Sequence, residues 1–532
     1  MSFVPNESNQ ITLDDSVYSL TEREKKFLEN SWAKMFAEII FPNIEEQPFA
    51  VLYGDKASRP NTPVNVIIGA SILKEMFSLS DDELMESVMF DVRFQYALHT
   101  TSMKEQPLSD RTLSRFRKRC LNYETMTGRD LVKESVVSLS EQIGKVMGIS
   151  NKSKRMDSMM VASNIKKMSR LELLYTCVSN MTKLLAKDTS VADQLKHYLE
   201  ASDANNVIYH QNNDGIDTRI KSIIVDAEYL LKECEEKYNQ SSEYLLLLRV
   251  ITEQTIKDEN GERHLKDKSD KSMDSTILQN PADPDATYRR KAGTQHRGYV
   301  ANLVESTGEE GSIISGYDYE QNIKSDTDFL KDAVETLGKQ DEELTLTSDG
   351  AYASEENHDL AKDNNINLVT TNFLGQKPPD CYADFELSED GQSIIKCANG
   401  QEPITSKYYG SKKLCRITMN KDICNSCPLK EQCKPKFHKK KASLEISTSS
   451  IFNAKQLRYM KTEDFKELAR YRNGVESLPS TLRRKYDVDH MPVRGMLPTK
   501  LLFGFKVAAL NCKKLFDSLT QREQSAQMPF AA

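Results

Sequence analysis

The chain has 532 residues, 38% of them hydrophobic and 28% charged, with a formal net charge of −7. That length predicts two to four units with ample core, and no apolar run is long enough to span a bilayer. Met1 to Ser8 lacks the basic and apolar regions of a secretory signal, so a cytoplasmic protein is expected, whose ten cysteines read as thiols or metal ligands rather than disulfides.

Residues up to about 145 read as helical. Val66, Ile67, Ala70, Leu73 and Phe77 recur at helical spacing. Ser80-Asp-Asp-Glu83 is a capping-box pattern, with Leu84 and Val88 on the inner face of the helix it opens. Pro107-Leu-Ser109 starts a third helix, with Leu113 and Phe116 inward and Arg111, Arg115, Arg117, Lys118 and Arg119 outward. Two short helices and a basic third fit either a helix-turn-helix or a bundle with a charged outer face.

A short strand over 154–161 carries Asp157. Helical patterns return over about 165–262, and residues 257–283 read as a polar, mobile loop. Strands at 298–305 and 312–317 flank a hairpin loop at 307–311. A helix follows over 326–337. The strand 344–348 stops at Asp349-Gly350, where glycine permits a sharp turn. A helix over 355–362 and a strand over 366–371 complete this rhythm. Residues 377–447 break it and hold six of the ten cysteines with little apolar content. Beyond Ala454 the chain is helical to about 519, and the tail 521–532 reads as frayed.

The acidic average, pI about 5.8, argues against a globally basic nucleic-acid binder. Charge is locally biased, however. Lys152, Lys154 and Arg155, then Arg289 to Lys291, Lys439 to Lys441 and Arg483 to Lys485 add four basic clusters to that of the third helix. One such cluster is a solvated surface; five around candidate carboxylates point toward a polyanionic partner. Cys424-x2-Cys427-x5-Cys433, with Cys397 as the fourth thiol, suits a structural Zn²⁺ tetrahedron. Cys415, His438 and Cys381 are possible substitutes, and free loop thiols are the alternative.

Three segments together carry a resemblance. These are Met156-Asp157-Ser158, Ser348-Asp349-Gly-Ala-Tyr352 and Tyr471-Arg-Asn-Gly-Val-Glu476, supported by Asp283-Pro-Asp-Ala286, Arg494-Gly495 and Asn511. Over about 49–515 the chain resembles the DDE transposases of bacterial insertion sequences. Within them it resembles the eleven-eighty-two-type branch, with an N-terminal helical domain and a late cysteine-containing insertion. The resemblance implies an α/β protein with an RNase H-like catalytic core, in which Asp157, Asp349 and Glu476 hold Mg²⁺ or Mn²⁺. Two such ions would activate an attacking oxygen and stabilise the leaving one.

The implied domains are an N-terminal helical DNA-binding domain (1–145), a first part of the core (146–376) with a helical insertion at about 165–262, a cysteine-rich insertion (377–447), a C-terminal helical part carrying the glutamate (448–520) and a tail (521–532). The family pattern Tyr-x2-Arg-x3-Glu-x6-Lys places Arg472 before Glu476 and Arg483 at the lysine, but Ala469 at the tyrosine. Arg472 can serve an ion pair with Glu476 or a DNA phosphate. Arg111, Arg115, Arg117, Lys118, Arg472, Arg483 and Arg494 are the expected DNA contacts. The expected partners are double-stranded DNA, as transposon ends and target, and further copies of the chain. The implied activity is strand cleavage and strand transfer, with an RNase H-like nuclease or a catalytically silent DNA-binding protein as alternatives.

Overall fold

Ten residues of extended chain, Ser153–Ala162 (β1), lie at the centre of the main sheet. The computed structural model describes residues 1–6, 15–54, 59–103, 106–150, 152–209, 215–267, 269–291, 293–309, 311–373 and 375–527, and of residues 471, 473 and 523–527 the backbone alone. A hairpin, Thr255–Lys257 (β2) and Arg263–Leu265 (β3), stands apart. The sheet continues with Thr287–Lys291 (β4), Thr294–Gly308 (β5) and Gly311–Gln321 (β6), an antiparallel meander. Leu344–Ser348 (β7) and Ile366–Thr370 (β8) then add in parallel on the other side of β1. The spatial order is β4-β5-β1-β7-β8, with β6 also on β5.

Side chains of a strand alternate between faces, and β1 does so. Met156 and Met160 pack with Phe329, Leu330 and Val334 of the helix Asp326–Leu337 and with Ala361 of the helix Glu355–Asp363. Met159 and Val161 join the opposite core. That core also holds Ile67 and Leu73 of the helix Val64–Met76, Leu113 and Phe116 of Asp110–Thr127, Leu139 of Leu131–Met147, and Phe503 and Leu510 of the helix Met496–Gln527. The N-terminal helices therefore share one continuous core with the sheet and the C-terminal helix, and the boundary expected near 145 falls inside it. The expected capping box is formed: Glu83 N–H donates to Ser80 Oγ, and Ser80 N–H to the Glu83 carboxylate.

The long C-terminal helix is fixed by Asn511. Its Nδ2 donates to Ile314 O (2.8 Å) and Ser140 Oγ (2.9 Å), and its Oδ1 accepts from Ile314 N–H (3.0 Å). The β5–β6 register shifts here, after Val304↔Gly316 and before Glu305↔Ile314. A side-chain amide thus supplies the backbone partners that the bulge removes. The helix continues to Gln527, beyond the expected end near 519. Arg522 Nη2 donates to Met147 O at 2.7 Å and ties this last stretch down. Residues 528–532 of the expected tail lie outside the described residues.

The insertion after β1 consists of helices Arg170–Leu185, Ile216–Glu233 and Ser242–Gln254 around their own core of Leu174, Val178, Leu195, Ile224, Leu247 and Val250. Asn280 Nδ2 donates to Lys166 O and draws the insertion's ends together. The loop reading of 257–283 needs correction: β3 lies within it, and Leu278, Asn280 and Asp283 are buried. Asp283 accepts hydrogen bonds from Tyr299 Oη (2.6 Å) and Ser163 Oγ, which pins this segment to β5 and to the exit of β1.

The cysteine-rich insertion also has more structure than its apolar content suggests. After a two-stranded pair, Glu386–Leu387 (β9) and Ile394–Lys396 (β10), it forms a sheet of Thr405–Tyr409 (β11), Leu414–Asn420 (β12), Lys436–Phe437 (β13) and Lys441–Ser447 (β14) in the order β11-β12-β14-β13. Phe385, Ile417, Met419 and Ile446 form its small core. No described helix is long and apolar enough to cross a membrane.

Candidate active site

β1 and β7 run parallel with Arg155 opposite Thr347. Two residues further along each lie Asp157 and Asp349. The helix Glu463–Asn473 packs across β1 and β7. It gives way to one tight turn, Gly474–Glu476, before the next helix Ser477–Tyr486 begins. Gly474 makes room at this turn. A Cβ at Gly474 would lie 2.1 Å from Arg155 Nη1. Arg155 is in turn held by Glu305, which accepts from Arg155 Nε (2.5 Å) and Lys514 Nζ (2.6 Å).

Arg472 joins the three carboxylates. Its Nη2 is 3.9 Å from Oδ2 of both Asp157 and Asp349, and its Nη1 is 3.5 Å from Glu476 Oε1. Three segments separated by 192 and 127 residues in sequence, from the numbers 157, 349 and 476, thus meet at one guanidinium. Ser158 N–H donates to Asp157 Oδ1 (2.9 Å), and Gly350 N–H (2.7 Å) and Asn372 Nδ2 (3.2 Å) to Asp349 Oδ1. Burial pushes the Asp157 carboxyl upward and nearby Asp349 adds to this, while Arg472, the Ser158 N–H and Lys291 oppose it.

Gly350 earns its place by space rather than by an unusual backbone angle, since it is absent from the glycines of positive φ. A Cβ there would sit 1.6 Å from Asn372 O. Tyr352 of the same motif is buried and donates to Asn302 Oδ1 on β5 at 2.9 Å, anchoring the turn to the sheet. A fourth carboxylate, Asp326, was not signalled by any motif. It accepts from Ser158 Oγ (2.7 Å) and lies 3.8 Å from both Arg289 and Lys291, the third basic cluster.

The other expected contacts divide. Arg111, Arg115 and Lys118 are exposed on their helix. Arg117 is committed to Asp81 through two hydrogen bonds, 2.8 and 2.7 Å. Arg483 donates to Met160 O (2.7 Å) and Asp489 (3.1 Å), and Arg494 to Asn164 O (2.8 Å), so both brace the end of β1. The side chain of Tyr471 lies outside the described residues.

Cys397, Cys424, Cys427 and Cys433 line one small cavity of about 30 Å³. Burial raises the Cys424 thiol, with Cys397 and Cys427 adding to it. Cys381 Sγ lies 3.6 Å from Cys433 Sγ, at the edge of the group. Cys415 is buried in the insertion's sheet, and the exposed His438 bonds to Ser443. Among the described residues, Asp258, Glu262 and His264 alone bring three metal-type ligand atoms all within 4.8 Å of one another; the thiols and the aspartate–glutamate cluster are both more open than that.

Residues 396–516 match the family model described as Transposase DDE domain, and residues 21–119 match one described as Transposase domain. These two matches support an insertion-sequence DDE transposase. The first match includes Arg472, Glu476 and Cys397 to Cys433, and the second includes Arg111 to Lys118, whereas Asp157 and Asp349 lie outside both. No curated protein and no solved structure is significantly similar to the chain. The family as a whole makes DNA the partner and divalent metal ions the usual cofactor.

Proposed function

We propose that the chain binds the terminal inverted repeats of its element and catalyses metal-dependent DNA strand cleavage followed by strand transfer. The observation that carries this reading is the meeting of Asp157, Asp349 and Glu476 around Arg472. An all-oxygen donor set of this charge suits Mg²⁺ or Mn²⁺. Bound there, two ions would activate the attacking oxygen and stabilise the leaving one at a phosphodiester. The sheet order, with an antiparallel meander on one side of β1 and two parallel strands on the other, supports an RNase H-like reading of the core.

In this reading the residues of the chain position rather than react. Asp349 is aimed by Gly350 and Asn372, Asp157 by Ser158, and Glu476 by the break between two helices. The exposed Arg111, Arg115 and Lys118 contact DNA phosphates, and the exposed run of lysines from Lys434 to Lys441 gives the cysteine insertion a second DNA-facing surface. Four thiols around one small cavity support a structural Zn²⁺ held by Cys397, Cys424, Cys427 and Cys433. Two DNA ends must be held together, so the working form is a homo-oligomer on DNA.

Asp157→Ala is expected to abolish Mg²⁺-dependent cleavage of labelled element ends while leaving end binding within about threefold of wild type. Cleavage at the wild-type rate would refute the assignment. Incubating cut ends with a plasmid tests the second step, because joined products distinguish a transposase from a hydrolytic nuclease.

A further inference from the structure

We propose that Arg472 is the resident counter-ion of the carboxylate cluster and that divalent ions load by displacing its guanidinium. This rests on the reading of Asp157, Asp349 and Glu476 as ion ligands. The guanidinium faces all three carboxylates at 3.5 to 3.9 Å. At those distances it forms none of the short forked bonds that make an arginine–carboxylate pair tight. Its side chain is only 11% exposed, and its buried Nε has no hydrogen-bond partner. Arg472 therefore fills the space between the carboxylates without being locked to any of them.

An arginine does not deprotonate, so it competes with metal at every working pH. Divalent ions offer the carboxylates direct ligation by a larger charge, and one shared monovalent cation at van der Waals range is a weak rival. The way out is open. Glu476, beside the guanidinium, is 63% exposed. Arg472 also stands in the last turn of the helix Glu463–Asn473, where a cation remains favourable after its side chain swings outward. Before loading, Arg472 keeps three like charges together; after loading, it is freed toward solvent or a DNA phosphate.

The test is calorimetric titration of the full chain with Mn²⁺. Arg472→Gln is expected to bind Mn²⁺ at least tenfold more tightly than wild type, and Asp157→Asn at least tenfold more weakly. Without metal the glutamine variant should melt below wild type, and saturating Mn²⁺ should restore most of the difference. Arg472→Lys, whose single ammonium cannot face three carboxylates at once, should bind several-fold more tightly than wild type and serves if the glutamine variant fails to fold. Mn²⁺ affinity of both Arg472 variants equal to or below wild type, with binding lost in Asp157→Asn, would overturn the displacement and leave the ion site standing. Wild-type affinity in Asp157→Asn would overturn the ion site itself.

Discussion

At single residues, two glycines show how backbone space aims the site. Asn372 O occupies the volume a side chain at 350 would need, and Arg155 the volume at 474. The first neighbour is backbone and cannot move aside; the second is the end of a flexible side chain. Gly350→Ala should therefore cost about 1–3 kcal/mol or more, read as a lower thermal midpoint, and should displace Asp349. Gly474→Ala should be milder in stability yet still impair cleavage, because Arg155 must leave the place where it supports the turn before Glu476. Short motifs single out Asp157, inside β1, and Asp349, just after β7. The central position of Arg472 was not legible in the sequence. Its spacing to Glu476 signals a pair on one helix face, but the two aspartates that complete its surroundings are set by strand register far away in sequence.

Among elements, β1 was legible as a short strand, and the helix Asp326–Leu337 appeared with the expected bounds because its apolar residues recur at helical spacing against one core. The hairpin of β5 and β6 is longer than expected, since buried polar positions such as Asn302, Glu305 and Ser306 interrupt the apolar signal. Glu305 is the costly member of that group. It is 1% exposed and lies between Arg155 and Lys514. Burial alone would raise its carboxyl, but Lys514 and Arg155 outweigh burial and hold it below the ordinary value of 4.5. A depressed folded value means that its stabilisation is present above the unfolded value and is lost as pH falls through the folded one. Glu305→Gln should lose about 3–5 kcal/mol at neutral pH by leaving two cations without their partner. That deficit should shrink as the urea midpoint is followed below the glutamate range; a pH-independent deficit would point to packing alone.

Across the whole molecule, the two insertions differ in how they are held. The helical insertion closes its own core. Replacing residues 168–278 by a short Gly-Ser linker should leave the main thermal transition within about 5 °C of wild type, given a loss near 1 kcal/mol in the remaining core. The cysteine insertion has a smaller core. Purified chain is expected to contain about one zinc per molecule, lost in Cys424→Ser and kept in Cys415→Ser, because Cys415 is a packed strand residue rather than a member of the thiol cluster. Metal analysis of the two variants decides this. The helices of the first insertion were legible as helical patterns over about 165–262, whereas the short strands β11 to β14 of the second carry little pattern of their own.

The core shared by the first 147 residues and the helix Met496–Gln527 has a consequence in time. Synthesis proceeds from the N-terminus, and domains that close their own cores fold as they emerge. Here Asn511 and Phe503 complete a core begun by Ile67 and Leu113. The nascent chain must wait for Phe503 and Asn511 before this layer can settle, and Glu476 arrives only shortly before. A prematurely ended product would thus lack both a finished N-terminal layer and the third carboxylate, so partial translation yields no half-working enzyme. Ribosome-stalled chains ending near 490 should remain protease-sensitive in residues 60–147, while chains extended to 527 become resistant.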